Sequence, residues 1–379
     1  MRSSTYRLVA IPGDGVGPEV VAAARVVLDA ASERFGFATD WTEVTAGGAA
    51  IDAFGVAIRP EDIEVCRGAD AILLGAVGGP RWDDPNAKVR PEQALFALRG
   101  GLGLFANLRP VTVHPALVPA SPLRPDLLAG VDLLIVRELT GGVYFGPREE
   151  AAGKPGRRAA RDTLPYSEEE IRRVVRLAFE LARARRAKLT SVDKANVLAT
   201  SRLWRTVVEE VRPEFPDVEL RHQLVDSCAM LLVRQPASFD VLVTENLFGD
   251  ILSDEASVIA GSLGMLPSAS LGERRTAHGT FGLYEPIHGS APHLAGQDRA
   301  NPIGTIQSAA MLLRWSLGRE EAAEAIEAAV AGALADGLRT ADLAAGGPAV
   351  GTMAMARAIA ERIAIPGAAR ADQPVAAQS

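Results

Sequence analysis

The sequence predicts an α/β protein whose central sheet is largely parallel. Short apolar runs rich in β-branched residues alternate with longer amphipathic runs, which is typical of strands joined by helical crossovers. The length of 379 residues exceeds that of one ordinary domain and predicts two. No linker divides the chain, so we expect it to leave its first domain, build a second and return.

Six strands and six helices follow from these runs. The predicted strands are Tyr6–Ile11, Ala71–Val77, Val131–Val136, Lys188–Val192, Glu219–Leu224 and Val241–Val243. The predicted helices are Pro18–Phe35, Ser167–Arg186, Ser201–Val211, Ile251–Ser262, Ile303–Leu317 and Glu320–Asp336. Ser167 and Glu170 have the spacing of a capping box. The polar stretch Glu149–Pro165 predicts an irregular, mobile arm, and the composition of residues 366–379 predicts a disordered tail.

The composition excludes several classes of protein. Hydrophobic residues make up 48% and charged residues 23%, which is typical of a globular chain and excludes a disordered one. The net charge of −7, without a long basic run, argues against a nucleic-acid surface. No segment approaches the ~20 apolar residues of a membrane helix, and the first residues lack a signal-peptide core. Two cysteines, Cys66 and Cys228, fit a reducing compartment, so we expect a cytoplasmic protein.

A glycine-rich loop, Gly13–Gly17, follows the first strand and precedes the first helix. The dinucleotide-binding fingerprint needs a further glycine at position 18, which is Pro18, and no Walker motif occurs. The loop therefore argues against a standard Rossmann enzyme. Glycine-rich turns between a strand and a helix are also common for structural reasons, so a phosphate-binding role stays open.

Two carboxylates, Asp250 and Asp254, stand four residues apart at the start of a predicted helix. This spacing puts both on one helix face, about one turn apart. Oxygen ligands on a rigid element suit Mg²⁺ or Mn²⁺, and Asp226 could supply a third. The alternative is a solvated helix face whose acidic residues favour the N-terminus.

Three arginines lie at the ends of apolar segments, where they could grip a substrate with two carboxylates: Arg99, Arg109 and Arg137. Tyr144, in a glycine-flanked turn, is a candidate proton donor. Lys194, at the end of a strand, could act as a base beside a metal. The alternatives are surface charges for the arginines and the lysine, and core packing for the tyrosine.

Seven motifs occur in order between about Leu8 and Arg362 and are Ile11–Glu19, Gly75–Pro80, Arg137–Gly146, Ser191–Leu198, Asn246–Asp254, Gly264–Ser270 and Glu285–Pro292. Together they resemble the metal-dependent β-decarboxylating dehydrogenases of the isocitrate/isopropylmalate dehydrogenase family. The resemblance implies a two-domain α/β fold that is not a standard Rossmann fold. It also implies NAD-dependent oxidative decarboxylation of a 3-substituted malate, with isopropylmalate of leucine biosynthesis as the leading substrate.

The resemblance implies a cofactor-binding domain of residues 1–104 and 261–365, and a dimerisation and substrate domain of residues 105–260. It further implies a homodimer with shared active sites. Tyr144 would be the general acid, and Lys194 would act from the other subunit. Asp250 and Asp254 would bind the metal together with Asp226 of the partner subunit.

The remaining implied site residues fall into two groups. The substrate would be bound by Arg99, Arg109, Arg137, Asp226, Glu92, Leu95 and Phe96. The cofactor would be bound by Gly78, Gly79, Pro91, Asn196, Glu285, His288, Gly289, Ser290, Ala291, Pro292, His293 and Asn301.

Two positions depart from the family pattern. Phe96 stands where a leucine is usual, and its ring should narrow the pocket for the C3 substituent or else turn into the core. His293 stands where NAD-dependent members have an aspartate for the ribose, so NAD is expected and NADP is not excluded. Other 3-substituted malates, tartrate and malate are alternative substrates. A non-catalytic nucleotide-binding protein is the alternative of another class.

Overall fold

A computed structural model describes residues 4–84, 87–154 and 156–364. The strands are β1 (Ser4–Gly13), β2 (Phe37–Glu43), β3 (Ala71–Ala76), β4 (Leu104–Thr112), β5 (Asp132–Glu138), β6 (Arg148–Ala152), β7 (Ala159–Asp162), β8 (Lys188–Asp193), β9 (Glu219–Leu224), β10 (Val241–Thr244), β11 (Pro267–Arg275) and β12 (Thr280–Pro286). The predicted tail, residues 366–379, lies outside the described residues.

The α-helices are α1 (Gly17–Phe35), α2 (Gly48–Phe54), α3 (Pro60–Gly68), α4 (Gln93–Gly101), α5 (Pro125–Leu128), α6 (Glu168–Arg183), α7 (Ala199–Val211), α8 (Val225–Arg234), α9 (Asn246–Ile259), α10 (Ile303–Trp315), α11 (Glu320–Ala335) and α12 (Thr352–Ala364). Short 3₁₀ turns include Gly142–Tyr144 and Pro292–Leu294. Among the described residues, no helix has the length and apolar character that crossing a membrane requires.

Ten strands form one sheet in the order β2-β1-β3-β12-β11-β4-β5-β10-β8-β9. Neighbours are parallel except at β12–β11, β11–β4 and β4–β5, which confirms the predicted α/β class and largely parallel core. The first five strands in this order lie in the predicted cofactor-binding region, and the last five begin at residue 104 or later. The division into two domains stays a prediction.

The sheet order brings the site residues to one edge. Strands β5, β10, β8 and β9 are neighbours and parallel, so the segments that follow them leave at the same edge. Those segments carry Tyr144, helix α9, Lys194 and Asp226.

All six predicted strands and all six predicted helices are present. The capping box is confirmed, because Ser167 Oγ accepts the Glu170 N–H and the Glu170 carboxylate accepts the Ser167 N–H. The helix predicted to start at Ile251 begins earlier, at Asn246. Glu245 causes this difference, because its carboxylate accepts the N–H groups of Leu247 and Phe248 and so caps the helix.

The predicted arm over Glu149–Pro165 contains most of two strands that were not predicted. Strands β6 and β7 pair antiparallel there and form a separate two-stranded sheet. Every residue of both strands is exposed. Because neither strand has a buried face, no alternation of apolar residues marks it in the sequence.

The glycine-rich loop Gly13–Gly17 is held by hydrogen bonds and close contacts with neighbouring segments. The Asp14 carboxylate accepts the N–H groups of Gly48, Ala49 and Gly78 at 2.7–2.8 Å. Gly15 has a φ of +61°, and a Cβ there would lie 1.9 Å from the carbonyl oxygen of Ser290. A carboxylate at the centre of the loop would repel a phosphate, so the geometry supports the structural interpretation.

Candidate active site

Asp250, on the first turns of α9, is the centre of the site. One carboxylate oxygen pairs with Arg137 Nη1 at the end of β5, and the other accepts the Tyr144 hydroxyl at 2.5 Å. Arg137 is held in turn by Asn246, whose Oδ1 accepts its Nε at 3.0 Å and its Nη2 at 2.8 Å. The Arg137 guanidinium also lies over the Tyr144 ring, 5.4 Å from the ring centroid. Arginine, aspartate and tyrosine are therefore in mutual contact.

Arg109 joins this group from β4. Its Nη1 donates to Ser253 Oγ at 2.5 Å and pairs with Asp254 at 3.2 Å, while Nη2 lies 3.8 Å from Asp250. Asn107 accepts the Arg109 Nε at 2.7 Å. Asp250 and Asp254 are thus paired with arginines that are themselves buried.

The electrostatics fit roles in binding and proton transfer. Burial lowers the pKa of Arg137 to about 10. Burial would raise the pKa of Asp250, but Arg137, the Tyr144 hydroxyl and Arg109 together hold it below its usual value. Burial and the hydrogen bond to Asp250 raise the pKa of Tyr144 to about 12, so its hydroxyl keeps its proton at neutral pH.

Asp250 and Asp254 are the donor set that a divalent cation would use in this chain. Carboxylate oxygens one helical turn apart suit Mg²⁺ or Mn²⁺, and the Asp254 side chain is 64% exposed. Within residues 4–84, 87–154 and 156–364, no three histidine, cysteine, aspartate or glutamate side chains lie close enough to hold a metal.

Lys194 and Asp226 form a second group on the same edge. Lys194 Nζ donates to Asp226 Oδ1 at 2.5 Å, and this hydrogen bond lowers the pKa of Asp226. In the described part of the chain, the pair makes no hydrogen bond or ion pair to Asp250 or Asp254. The structure therefore places the predicted base and the predicted acid in separate groups.

The predicted substrate residues on α4 do not all face the site. Phe96 faces the site, with its ring centroid 6.1 Å from that of Tyr144 and 5.6 Å from that of Phe145. Leu95 packs instead against the apolar cluster under the sheet. Arg99 is buried and pairs with Glu285 at 2.9 Å, which joins a predicted substrate residue to a predicted cofactor residue.

The predicted nucleotide residues line a separate cavity of about 540 Å³. His288, Gly289, Ala291 and Asn301 contribute to its wall, together with Arg299. The buried Nε2 of His288 has no hydrogen-bond partner in the described structure, and burial lowers the pKa of this imidazole.

The other predicted cofactor residues lie in several parts of the chain. Ser290 is buried, while Pro292 and His293 are exposed on their 3₁₀ turn. Glu92 lies close to Gly78, since a Cβ on that glycine would be 3.1 Å from Glu92 Oε1. The remaining three are Gly79, which is half-buried, Pro91, which is buried, and Asn196, which is exposed in the turn after Lys194.

Three residues that hold the site were not predicted from the sequence: Asn107, Asn246 and Ser253. Asn246 and Ser253 lie inside the motif that contains both aspartates, so their position was a usable signal. Asn107 precedes Arg109 by two residues and therefore lies on the same face of β4.

Comparisons with known proteins agree with this fold. The family described as isocitrate/isopropylmalate dehydrogenase matches residues 7–359. A 3-isopropylmalate dehydrogenase of Anaeromyxobacter dehalogenans is 58% identical over 94% of this chain and 99% of its own. One of Moorella thermoacetica is 56% identical over 93% of this chain and 98% of its own.

Solved structures show the same similarity. The isocitrate dehydrogenase of Methylococcus capsulatus superimposes with a TM-score of 0.83 and 35% identity, covering 95% of this chain and 100% of its own. A β-decarboxylating dehydrogenase of Thermococcus kodakarensis gives a TM-score of 0.75 and 39% identity, covering 94% and 96%. The fold is that of an α/β dehydrogenase. The chain belongs to the isocitrate/isopropylmalate dehydrogenase family.

Proposed function

We propose that the chain oxidises and decarboxylates 3-isopropylmalate to 4-methyl-2-oxopentanoate with reduction of NAD, as a step of leucine biosynthesis. The observation that carries the proposal is the convergence of Arg109, Arg137 and Tyr144 on Asp250. Relatives named 3-isopropylmalate dehydrogenase, matched over nearly their whole length, support the choice of substrate.

The arginines bind the substrate. A malate with two carboxylates needs guanidinium groups that approach from different directions, and Arg99, Arg109 and Arg137 come from three separate elements. Asn107 accepts the Nε–H of Arg109, and Asn246 accepts the Nε–H of Arg137. These hydrogen bonds orient the two guanidinium groups. All three arginines are less than 10% exposed, so they meet the substrate with little water between them.

Asp250 and Asp254, with Asp226 of the partner subunit, would hold Mg²⁺ or Mn²⁺. The hard carboxylate oxygens fit either ion. When bound, the metal supplies Lewis-acid stabilisation of negative charge on the C2 oxygen.

Two groups move protons in the proposed reaction. Lys194 Nζ, directly or through Asp226 or water, takes the proton of the C2 hydroxyl. NAD, when bound, would supply the acceptor for the hydride from C2. The resulting β-keto acid loses its C3 carboxylate as CO₂. Tyr144 Oη gives its proton to C3, since its raised pKa keeps it protonated until carbon becomes basic.

The nucleotide would lie against the cavity formed by His288, Gly289, Ala291 and Asn301. The unpaired Nε2 of His288 is a buried polar atom that a ligand in this cavity could satisfy, which fits a nucleotide. The exposed imidazole of His293 can hydrogen-bond a ribose hydroxyl and does not repel a phosphate. NAD is therefore the proposed cofactor, and NADP is not excluded.

A homodimer with shared sites accounts for the two separate groups. Lys194 and Asp226 of one subunit would complete the site formed by Tyr144, Asp250 and Asp254 of the other. We also place the enzyme in the cytoplasm, because both cysteines are unpaired and buried, as in proteins of reducing compartments.

The test is an assay of NAD and NADP reduction with isopropylmalate, methylmalate, tartrate and malate, with Mg²⁺, with Mn²⁺ or with excess chelator. We expect isopropylmalate with NAD and metal to be fastest, and chelator to abolish turnover. Asp254→Asn should weaken metal binding in calorimetry and reduce kcat at least a hundredfold. Asp217→Asn is the matched control, because Asp217 also pairs with an arginine but lies on an exposed surface.

Three results would contradict the proposal. Wild-type rates in chelator would remove the metal role. Preference for another malate would keep the chemistry and change the substrate. Nucleotide binding without turnover of any substrate would favour a non-catalytic binding protein.

A further inference from the structure

Tyr166 lies beneath the proposed site and takes no part in the steps above. It is a half-buried residue just before α6, and its ring packs edge-on against Trp204, with 5.9 Å between ring centroids. Burial raises the pKa of its hydroxyl, which therefore stays protonated. What the ring and the hydroxyl touch indicates what the residue does.

The ring supports the turn that carries Tyr144. A Cβ on Gly141 would lie 2.5 Å from Tyr166 Cε1, and a Cβ on Gly142 would lie 2.7 Å from Tyr166 Oη. The Gly142 N–H donates to the carbonyl of Pro165, the residue before Tyr166, at 3.1 Å. The backbone two residues before Tyr144 therefore rests directly on Tyr166, and Gly142, with a φ of +72°, cannot easily be replaced.

The hydroxyl supports the helix that carries Asp250. Tyr166 Oη accepts the N–H of Asn246, the first residue of α9, at 3.0 Å. Asn246 in turn binds Arg137 through Oδ1 and the carbonyl of Gly141 through Nδ2. One tyrosine thus contacts both the turn of the proton donor and the start of the helix to which that donor is hydrogen-bonded.

Two buried carboxylates also contact this hydroxyl. Glu138 Oε2 and Glu245 Oε2 each lie 3.3 Å from Tyr166 Oη, and both side chains are less than 9% exposed. A hydroxyl has one proton and can donate it to one carboxylate only. The second contact becomes a hydrogen bond when that carboxyl group brings its own proton, so one proton held by the pair would let the hydroxyl bond both groups.

The partners of each carboxylate indicate where that proton lies. Glu138 accepts the N–H groups of Thr140 and Gly141 and the Thr140 hydroxyl, and Arg173 of α6 lies 3.6 Å away. Among the described residues, Glu245 accepts two backbone N–H groups and contacts the Tyr166 hydroxyl, and its facing cation is Arg137. Glu138 is therefore the better anion, and Glu245 is the better site for a retained proton. Burial raises the pKa of both, in agreement with one retained proton.

We propose that Tyr166 is a positioning residue. Through its contacts with the Gly141–Gly142 turn and with α9, it orients the Tyr144 hydroxyl towards C3 of the substrate, and a protonated Glu245 holds the Tyr166 hydroxyl in place. The inference rests on the proposed function, in which Tyr144 is the acid.

The test is Tyr166→Phe, alone and combined with Tyr144→Phe. The single variant should keep its melting temperature within a few degrees and its KM for isopropylmalate, while kcat falls about a hundredfold, as a misplaced group can cause. In the Tyr144→Phe background, Tyr166→Phe should lower kcat by less than about a further threefold, because the effects of residues that act as one unit are not additive. Tyr284→Phe is the control, since it removes another buried tyrosine hydroxyl, bonded to Ser316, outside the site.

A second readout follows the proton itself. In D₂O the wild type should place deuterium on one face of C3 in the ketone product, and Tyr166→Phe should give a mixture of both faces. A merely structural role would leave the product stereochemistry unchanged.

Two further variants keep the inference testable if Tyr166→Phe does not fold. Glu245→Gln resembles the protonated acid and should lose at least tenfold less kcat than Glu138→Gln, which removes the better anion. Equal losses, or an unchanged kcat in Tyr166→Phe, would overturn the inference. If the kcat loss of the double variant is the product of the two single losses, the inference is overturned, while Tyr144 remains the proposed acid. A fully active Tyr144→Phe would instead overturn the acid role in the proposed function, and the inference with it.

Discussion

Asp250 shows how single residues carry the chemistry of this site. Its carboxylate contacts Arg137, Tyr144 and, at longer range, Arg109. Each contact has an electrostatic consequence, since the arginines keep Asp250 ionised and Asp250 keeps Tyr144 protonated. A metal ligand must be ionised, and a general acid must keep its proton. The ionised Asp250 beside the protonated Tyr144 meets both requirements.

Phe96 is the residue on which the choice of substrate depends. Its ring faces Tyr144 and Phe145 and not the core, so it should narrow the space for the C3 substituent. We expect Phe96→Leu to raise kcat/KM for isopropylmalate relative to methylmalate by about tenfold or more, the scale of one hydrophobic contact. Steady-state kinetics on both substrates give this ratio, and Leu95→Met, in the adjacent core-facing position, is the control. An unchanged ratio would show that the ring does not contact the substituent.

His293 is the corresponding residue for the cofactor. It is exposed on its turn, and Arg299 lies in the wall of the neighbouring cavity. We expect weak discrimination between NAD and NADP, because an imidazole can hydrogen-bond a ribose hydroxyl and does not repel a 2′-phosphate as a carboxylate would.

The variant His293→Asp should make the enzyme strictly NAD-dependent. A carboxylate accepts a ribose hydroxyl and repels a 2′-phosphate. Dissociation constants and kcat/KM for both cofactors measure the change. Arg299→Gln is the companion variant and should weaken NADP more than NAD. If neither variant alters the ratio, position 293 does not contact the ribose.

At the scale of elements, helix ends could be predicted wherever a local signal exists. Ser167 with Glu170 marked the start of α6, and the structure confirms it. We expect Ser167→Ala to lower the free energy of unfolding by about 1 kcal/mol, the usual value of an N-cap. Urea denaturation at fixed protein concentration measures this, with Ser238→Ala as a control serine whose hydroxyl bonds a backbone carbonyl in a surface turn. A larger loss for the control would contradict the capping role.

Elements whose partners are distant in sequence could not be predicted in the same way. Strand β4 contains Asn107 and Arg109, which look polar in sequence but are buried, because Ser268 and Ser270 of β11 satisfy Asn107. Strand β2 is an edge strand with only one buried residue, so it lacks an apolar pattern. Helix α12 had a usable signal, since Met355, Ile359 and Ile363 are buried at helical spacing.

The same distinction holds for the candidate site. Residue types and spacing alone marked Asp250, Asp254, Tyr144 and Lys194 as candidates, and the family resemblance gave them roles. Which of them touch could not be predicted, because contact depends on the order β5-β10-β8-β9. The separation of Lys194 from Tyr144 is therefore a result of the fold.

At the scale of the whole molecule, two helices next to the site expose apolar side chains. Met230 of α8 is 59% exposed, and Ile251 and Val258 of α9 are 58% and 52% exposed. Asp226 lies at the start of α8, and Asp250 and Asp254 lie on α9. Large apolar groups clustered beside an incomplete site are typical of an interface between subunits.

Mixing two inactive variants tests this arrangement directly. Lys194→Met and Tyr144→Phe should each be nearly inactive as homodimers. If the base of one subunit serves the acid of the other, a heterodimer has one site with both residues intact and one with neither. Random reassociation makes half of the dimers heterodimers, so activity should recover to about a quarter of wild type.

The control for this experiment is a mixture of Lys194→Met with Asp226→Asn. Both residues lie in the same group, so no heterodimer of these variants has an intact site if that group acts as a unit. Recovery in the first mixture and none in the second would place Lys194 and Tyr144 of each site on different subunits. Native mass spectrometry verifies that heterodimers form. No recovery in either mixture would then mean that each chain completes its own site. In that case Lys194 would have to reach Asp250 by a movement of the elements that carry it.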